Sequence, residues 1–155
     1  MNSIATDTKQ LVLEYLWAIS GNPKTQNQLD LFVSDPRLVD HILQVEAAFP
    51  CYELIARQVI ADGDLVALRG SFRGIHRGEF AGIAPTGNHI AFEMMIIYQI
   101  RDGRIAEHWM QFDFGGVADQ LSRRRARSGS GRSPAMRQRT QYLGGTALEP
   151  NLTAR

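Results

Sequence analysis

The segment IAFEMMIIYQIRDGRIAEHWMQFD, residues 90–113, contains two runs of aromatic and large apolar residues separated by Asp102 and Gly103. An Asp-Gly pair between two such runs is the strongest short-range signal for a β-hairpin with a two-residue turn. The sequence therefore predicts two antiparallel strands, and their pairing register determines which side chains share a face.

An unbroken register pairs Ile100 with Ile105 and continues away from the turn one residue at a time. Because side chains alternate along a strand, one face is predicted to carry Phe92, Met94, Ile96, Tyr98, Trp109, Gln111 and Asp113. The opposite face is predicted to carry Glu93, Met95, Ile97, His108, Met110 and Phe112. A β-bulge within the hairpin would reverse this assignment.

Asp113 is the candidate catalytic residue on the first of these faces, which we expect helices to cover. A carboxyl group on a largely apolar wall has a raised pKa, because loss of solvent disfavours its charged form. A general acid/base that works near neutral pH needs such a pKa. The alternative is an ordinary acid at a strand end, solvated or capping a neighbouring backbone group.

Upstream of the hairpin, the first third of the chain has helical periodicity. We predict a helix that begins with a capping pattern at Asp7 and Gln10 and stops at Gly21–Pro23, then a short helix within residues 25–33. A third helix is predicted over residues 34–50, with Asp35 at its cap and Pro36 at its first position.

From Tyr52 onward the pattern changes to strands. Asp62 and Gly63 separate two further apolar runs and predict an earlier hairpin, and residues 73–89 form a glycine-rich loop or broken strand. Helices followed by an antiparallel meander predict an α+β fold, with the helices packed on one face of a curved sheet.

Composition limits the class of protein further. At 155 residues, the chain is predicted to form one main domain over residues 1–121. Its single cysteine, Cys51, excludes an internal disulfide bond. The start has no signal-peptide pattern and no apolar run is long enough to cross a bilayer, so we expect a cytoplasmic protein without a membrane partner.

The remainder, residues 122–155, has eight arginines and one glutamate, whereas residues 1–121 have nine basic and fifteen acidic residues. The tail is rich in Ser, Gly and Arg and poor in large apolar residues, so it is predicted to be disordered. An arginine cluster could bind nucleic acid, but residues 116–141 contain no aromatic side chain on which a base could stack, so nucleic acid is not the expected partner.

Residues 72–113 closely resemble the SnoaL-like polyketide cyclases, also called ester cyclases. Their pattern is F-x-G-T-H-x-G-x-F-x-G-I-x-P-T-G, then a strand, D-G-K-I-x-E-H-W, and an Asp four residues after the Trp. The matching residues are Phe72, Gly74, His76, Gly78, Phe80, Gly82, Ile83, Pro85, Thr86, Gly87, Asp102, Gly103, Ile105, Glu107, His108, Trp109 and Asp113.

The resemblance implies a cone-shaped α+β barrel of the nuclear transport factor 2-like type, a homodimer formed through the outer sheet face, and a deep apolar pocket for a polyketide-like substrate. It also implies that Asp113 is the general acid/base of an intramolecular aldol ring closure that requires no cofactor. On the predicted face, Tyr98, Trp109 and Gln111 are candidates for hydrogen bonds to the enolate oxygen.

Several other residues are weaker candidates for the pocket. His76 is interpreted either as a second acid/base or as a residue that holds the glycine-rich loop by hydrogen bonds. His41 is interpreted either as a buried structural histidine or as a pocket acid, and Tyr15 as a pocket-lining or core residue. His108 is predicted to lie on the dimer or outer surface. The four histidines lack metal-ligand spacing, so no metal site is expected.

Two alternatives to the cyclase remain open. A steroid-isomerase-like enzyme uses the same combination of one carboxylate, hydrogen-bond donors and an apolar cavity. A small-molecule-binding or dimerisation module of the same fold would catalyse nothing.

Overall fold

The computed structural model describes residues 3–123 and 141–143. Its elements, in chain order, are α1 (Ser3–Ile19), α2 (Gln26–Leu29), α3 (Pro36–Ala48), β1 (Glu53–Asp62), β2 (Leu65–Ile75), β3 (His89–Arg101), β4 (Arg104–Phe112), α4 (Phe114–Ser122) and β5 (Gln141–Leu143). The strands form one antiparallel sheet in the order β1-β2-β3-β4-β5. The predicted α+β class is confirmed.

Most of the predicted tail, residues 124–140 and 144–155, lies outside the described residues. Its disorder and the domain boundary at residue 121 therefore stay predictions. Within the predicted tail, Ser122 ends α4, and residues 141–143 pair with β4 as β5.

The first helix begins earlier than its capping pattern predicts. It starts at Ser3 rather than near Asp7, and the side-chain amide of Gln10 donates a hydrogen bond to Glu14 within the helix instead of capping an end. No proline or glycine interrupts residues 3–7, so nothing forces the helix to start at Asp7. Its apolar stripe is as predicted, with Tyr15 and Ile19 buried.

The third helix begins as predicted. The Asp35 side chain accepts a hydrogen bond from the backbone N–H of Arg37, and Pro36 is the first helical residue, where its missing N–H costs nothing. Leu38, Val39 and Ile42 are buried, so this helix packs its apolar face onto the core.

Both hairpins are present. The second turns at Asp102 and Gly103, as predicted, and both residues have positive φ, as a type I′ turn requires. In the first, Asp62 pairs with Leu65, so the turn residues are Gly63 and Asp64 rather than Asp62 and Gly63.

The predicted register of the second hairpin is wrong beyond the residues next to the turn. Ile100 pairs with Ile105, but Gln99 pairs with Glu107, so Ala106 is an extra residue in β4. This β-bulge exchanges the two faces of β4 for every later residue. His108, Met110 and Phe112 therefore point inward, and Trp109 and Gln111 point outward, the reverse of the prediction.

Contacts at the start of β4 explain the bulge. Ile105 is fully buried, and its backbone bonds both Phe32 and Ser34 while Val33 forms a parallel bridge to it. The backbone contacts with residues 32–34 hold the Ile105 side chain facing inward. Because Ala106 is an extra residue after Ile105, Phe112 also faces inward and joins the aromatic core.

The core lies between the helices and the inner face of the sheet. None of the helices in the described ranges is both long and apolar enough to span a bilayer. The inner face is where the structure leaves a cavity.

Candidate active site

An apolar cavity of about 80 Å³ lies between α1, α3 and the inner sheet face. Four aromatic rings cross the sheet side by side along its wall: Tyr52, Phe72, Phe92 and Phe112, with successive ring centroids 5.0, 4.8 and 5.0 Å apart. Offset stacking of this kind adds to the free energy gained by burying the rings. The Lys24 ammonium lies 3.8 Å from the Tyr52 centroid and ends the row.

Three buried tyrosines bring polar groups to this wall. Tyr15 packs edge-on against Tyr98, with centroids 6.0 Å apart, and Tyr52 belongs to the aromatic row. Burial raises the pKa of each phenol above its ordinary value, so all three stay protonated at neutral pH. Neither the Tyr15 hydroxyl nor the Tyr98 hydroxyl donates a hydrogen bond to another described residue. Both hydroxyls can therefore donate a hydrogen bond to a ligand oxygen.

The only other titratable groups on the cavity wall, within residues 7–123, are two histidines. His41, from α3, and His108, from β4, face each other with centroids 6.4 Å apart and planes 19° from parallel. Burial and the neighbouring His108 lower the pKa of His41 to about 3. Burial lowers the pKa of His108 to about 4, and Asp35 opposes the shift. Both imidazoles are therefore neutral at pH 7.

The two rings differ in their access to solvent. His108 is 4% exposed, and its Nδ1 atom is buried with no hydrogen-bond partner in the described part of the chain. His41 is only partly buried. An unpaired buried ring nitrogen costs free energy unless water or a ligand satisfies it, so Nδ1 of His108 is available to a molecule in the cavity.

The residues predicted for the pocket divide into two groups. Tyr15, Phe92, Met94, Ile96 and Tyr98 line the cavity. Trp109 and Gln111 do not, because the bulge turns them to the outer face, where they lie beside an exposed patch that includes Met95.

Asp113 is also absent from the cavity wall. It is the N-cap of α4, where its Oδ1 accepts a hydrogen bond from the Gly116 backbone N–H at 3.0 Å. The prediction that Asp113 shares an inner face with Tyr98 is therefore wrong, again because of the bulge. Its other oxygen, Oδ2, is buried without a hydrogen-bond partner among the described residues, and Asp113 borders a depression on the outer side.

His76 is buried behind the cavity rather than on its wall. Its Nδ1 accepts a hydrogen bond from the Thr86 backbone at 3.2 Å and contacts the Thr86 hydroxyl at 3.0 Å, and its ring packs on Phe49. Burial lowers its pKa. These contacts hold the loop between β2 and β3, the second of the two interpretations drawn from the sequence.

His108 is the cavity residue that the predicted register misplaces, because that register puts it on the outer surface. For His41 the sequence leaves two interpretations, a buried structural histidine or a pocket acid, and its place on the cavity wall is compatible with both. Ala106, the bulged residue, is an ordinary strand residue and carries no signature of a bulge. The row of aromatic residues could have indicated the true register. Phe112 can stack on Phe92 only in the register that turns His108 inward.

Similarity to known proteins agrees with this fold. The family model described as SnoaL-like polyketide cyclase matches residues 23–121. A search of curated proteins found no significant match.

Among solved structures, AclR from Streptomyces galilaeus, described as a candidate hydroxylase, is 25% identical, with a TM-score of 0.64 over 76% of this chain and 82% of that one. IdmH from Streptomyces antibioticus, described as a candidate polyketide cyclase, is 24% identical, with a TM-score of 0.57 over 74% and 97%. An LEH-like epoxide hydrolase from M. tuberculosis is 18% identical, with a TM-score of 0.53 over 76% and 93%. The last two show the fold alone. With the family model covering well over half of its length, the chain belongs to the SnoaL-like polyketide cyclase family, within the nuclear transport factor 2-like superfamily.

Proposed function

We propose that this chain catalyses aldol-type ring closure of a polyketide-like carbonyl substrate in the inner cavity, with His108 as the general acid/base. The observation that carries the proposal is the unpaired Nδ1 atom of His108, buried in an otherwise apolar cavity and facing His41. Membership of the cyclase family supports the reaction class.

The proposed reaction needs one group that moves a proton. His108 takes a proton from a carbon between two carbonyl groups, and the C–H electron pair becomes an enolate. The enolate carbon forms a bond to a second carbonyl carbon, whose π electrons move to oxygen. The imidazolium returns the proton to that oxygen, so no proton, electron or co-reactant is gained or lost.

The low pKa of His108 is compatible with this role. A value of about 4 applies to the empty cavity, where protonation would create an isolated buried charge. An enolate beside the ring pairs with the imidazolium and favours the protonated form, so the pKa rises as the enolate forms. Tyr15 and Tyr98 line the same cavity, and we propose that their protonated phenols donate hydrogen bonds to the enolate oxygen.

The cavity is smaller than the roughly 300–1,000 Å³ typical of ligand sites, at about 80 Å³. Productive binding therefore requires side chains to move. His41 is the partly exposed polar residue on the wall, so we assign it to the entrance, where it exchanges protons between His108 and solvent.

Asp113 is the second candidate for proton transfer. Its favourable feature is the buried and unpaired Oδ2 atom. Its hydrogen bond to Gly116 holds the carboxylate at the end of α4 and away from the cavity wall, so we propose a capping role instead.

Binding without catalysis is the second candidate function. Among residues 7–123, no carboxylate lies on the cavity wall, and the cavity is small. Steroid-isomerase-like chemistry needs a carboxylate base, so these observations favour binding without catalysis over that chemistry.

The test uses wild type, His108→Gln and Asp113→Asn, each supplied with nascent polyketide esters and β-dicarbonyl compounds. Ring closure is measured by product formation, and proton abstraction by deuterium exchange at the activated carbon. We expect His108→Gln to lose both activities and to retain ligand binding, while Asp113→Asn retains both. Binding without turnover by the wild type would support the binding module.

We also propose that the chain forms a homodimer through the outer sheet face. Ile60, Met95 and Ile97 are 67%, 57% and 42% exposed there, beside Trp109. Such a contiguous apolar patch is typical of an interface.

Ile97→Lys tests the dimer by light scattering, because a charge at this position would have to be buried in the interface. Leu31→Lys is the matched control, since Leu31 is 71% exposed but does not belong to the apolar patch. We expect only Ile97→Lys to give monomer, and an unchanged mass would exclude this interface. The predicted register puts Met110 on the outer face, but Met110 lies on the cavity wall, so a substitution there would not test the dimer interface alone.

A further inference from the structure

We propose that the outer face of the sheet carries a second small-molecule site, for a ligand with an anionic carboxylate or phosphate group at one end and an ammonium or hydroxyl donor at the other. A depression of about 650 Å³ lies on this face, separate from the inner cavity. Its volume falls within the usual range for ligand sites.

Arginines form one wall of the depression. Arg69 and Arg73 lie on the outward face of β2 with Ser71 between them, each about 6.7 Å along the strand from Ser71. Arg57 comes from β1, where the register shifts between Ala56 and Gln58. The three side chains are long enough to converge above Ser71, and paired guanidinium groups suit the planar or tetrahedral oxygens of carboxylates and phosphates.

Acids form the opposite wall. Glu93 lies directly across from Ser71 on the neighbouring strand β3. Asp113 follows Phe112, the residue that pairs with Met94, and both Glu93 and Asp113 line the depression. Positive charge is thus concentrated on the β1–β2 side of the depression and negative charge on the β3–α4 side.

The charged side chains of the two walls do not neutralise each other in ion pairs within the described residues. Arg57, Arg73 and Glu93 make no ion pair with any part of the chain that the structure describes, and Arg69 donates through Nε to the amide oxygen of Gln58. The two walls therefore retain their capacity to bind a ligand of complementary charge.

Two residues that line the same depression carry buried polar atoms without a partner among the described residues. Ser71 is 5% exposed, and its Oγ has no hydrogen-bond partner in residues 7–123. The Oδ2 atom of Asp113 is likewise buried and unpaired. Each such group costs free energy when unsatisfied. A ligand whose anionic end accepts from Ser71 and the arginines, and whose other end donates to Asp113, satisfies both.

This site is independent of the proposed ring closure, because none of its charged residues lines the inner cavity. It adjoins the apolar patch around Met95 and Ile97. A partner subunit that covered the depression would compete with the ligand, so binding is measured with the full-length chain at concentrations below and above dimer formation.

The experiment is a calorimetric titration with O-phosphoethanolamine, which carries phosphate and ammonium groups, and with 4-aminobutyrate, its carboxylate counterpart. Inorganic phosphate and ethanolamine test each end alone. We expect saturable binding of at least one two-ended probe, tighter than that of either single-ended probe. Comparing the first two probes identifies which anion the site prefers.

Three variants locate the binding. Arg73→Gln is expected to weaken binding about tenfold or more, since it removes a charge-assisted pair. Ser71→Ala is expected to weaken it severalfold without loss of charge. Arg101→Gln, near the turn of the second hairpin and outside the depression, is the matched control and should leave binding unchanged.

Lack of saturable binding of both two-ended probes up to about 10 mM, a concentration that detects even weak millimolar affinity, would overturn the proposal. Equal affinities for wild type and Arg73→Gln would also overturn it, as would equal losses in Arg73→Gln and Arg101→Gln. Loss of binding only above the concentration at which the chain dimerises would assign the depression to the partner subunit instead.

Discussion

Replacing Asp113 separates its structural role from the catalytic role that its sequence motif implies. Asp113→Ala removes the 3.0 Å hydrogen bond from the Gly116 N–H to Oδ1 and leaves the first turn of α4 uncapped. Loss of an N-cap side chain costs typically about 1 kcal/mol. For a domain of this size, that corresponds to a fall in Tm of about 4 °C.

Asp113→Asn is the matched control, because asparagine caps helices as well as aspartate does. It loses only the favourable interaction of the charge with the helix dipole, so we expect its free energy of unfolding to stay within about 0.5 kcal/mol of wild type. Urea unfolding followed by circular dichroism measures both variants. Amide hydrogen exchange in α4 locates the effect, with faster exchange expected only in Asp113→Ala.

Two results would refute this reasoning. An Asp113→Ala protein as stable as wild type would show that the cap contributes nothing. Equal destabilisation in both variants would show that the carboxylate charge, rather than the hydrogen bond to Gly116, stabilises α4.

Two further predictions concern buried charge. Lys24→Met should lower the free energy of unfolding, measured in urea, by about 3 kcal/mol. The Lys24 ammonium donates a hydrogen bond to the Tyr52 carbonyl and forms an ion pair with Glu46 at 3.1 Å, and the substitution removes both. A variant as stable as wild type would show that the ion pair contributes nothing. Stability should fall as pH drops from about 6.5 to about 4, since the folded-state pKa values of His41 and His108 lie below the ordinary value and the unfolded chain binds more protons in this window. His108 alone should contribute about 3 kcal/mol to this loss, and a His108→Gln protein with the same pH dependence would contradict the assignment.

The sequence predicted the elements well wherever local chemistry determines them. Asp35 and Pro36 mark the start of α3, and Asp102 and Gly103 mark the second turn, because cap and turn geometry depend on a few adjacent residues. The class of fold followed from the order of helical and strand periods.

The faces of β4 could not be predicted in the same way. Ala106 is bulged because Ile105 has a second backbone partner in residues 32–34, a contact between segments more than seventy residues apart. That long-range contact moved the candidate site from Asp113 and Trp109 to His108. The Glu107-His108-Trp109 motif was recognised, but which of its side chains faces the cavity depended on the register.

The central claim is that ring closure depends on His108 inside the cavity and not on Asp113 outside it. The most direct measurement is the turnover of His108→Gln and Asp113→Asn, relative to wild type, on whichever compound of the panel wild type converts fastest. We predict that His108→Gln loses about 10²- to 10⁴-fold, the usual contribution of a general acid/base, and that Asp113→Asn stays within about threefold of wild type. Near-normal turnover by His108→Gln together with a large loss in Asp113→Asn would contradict the claim.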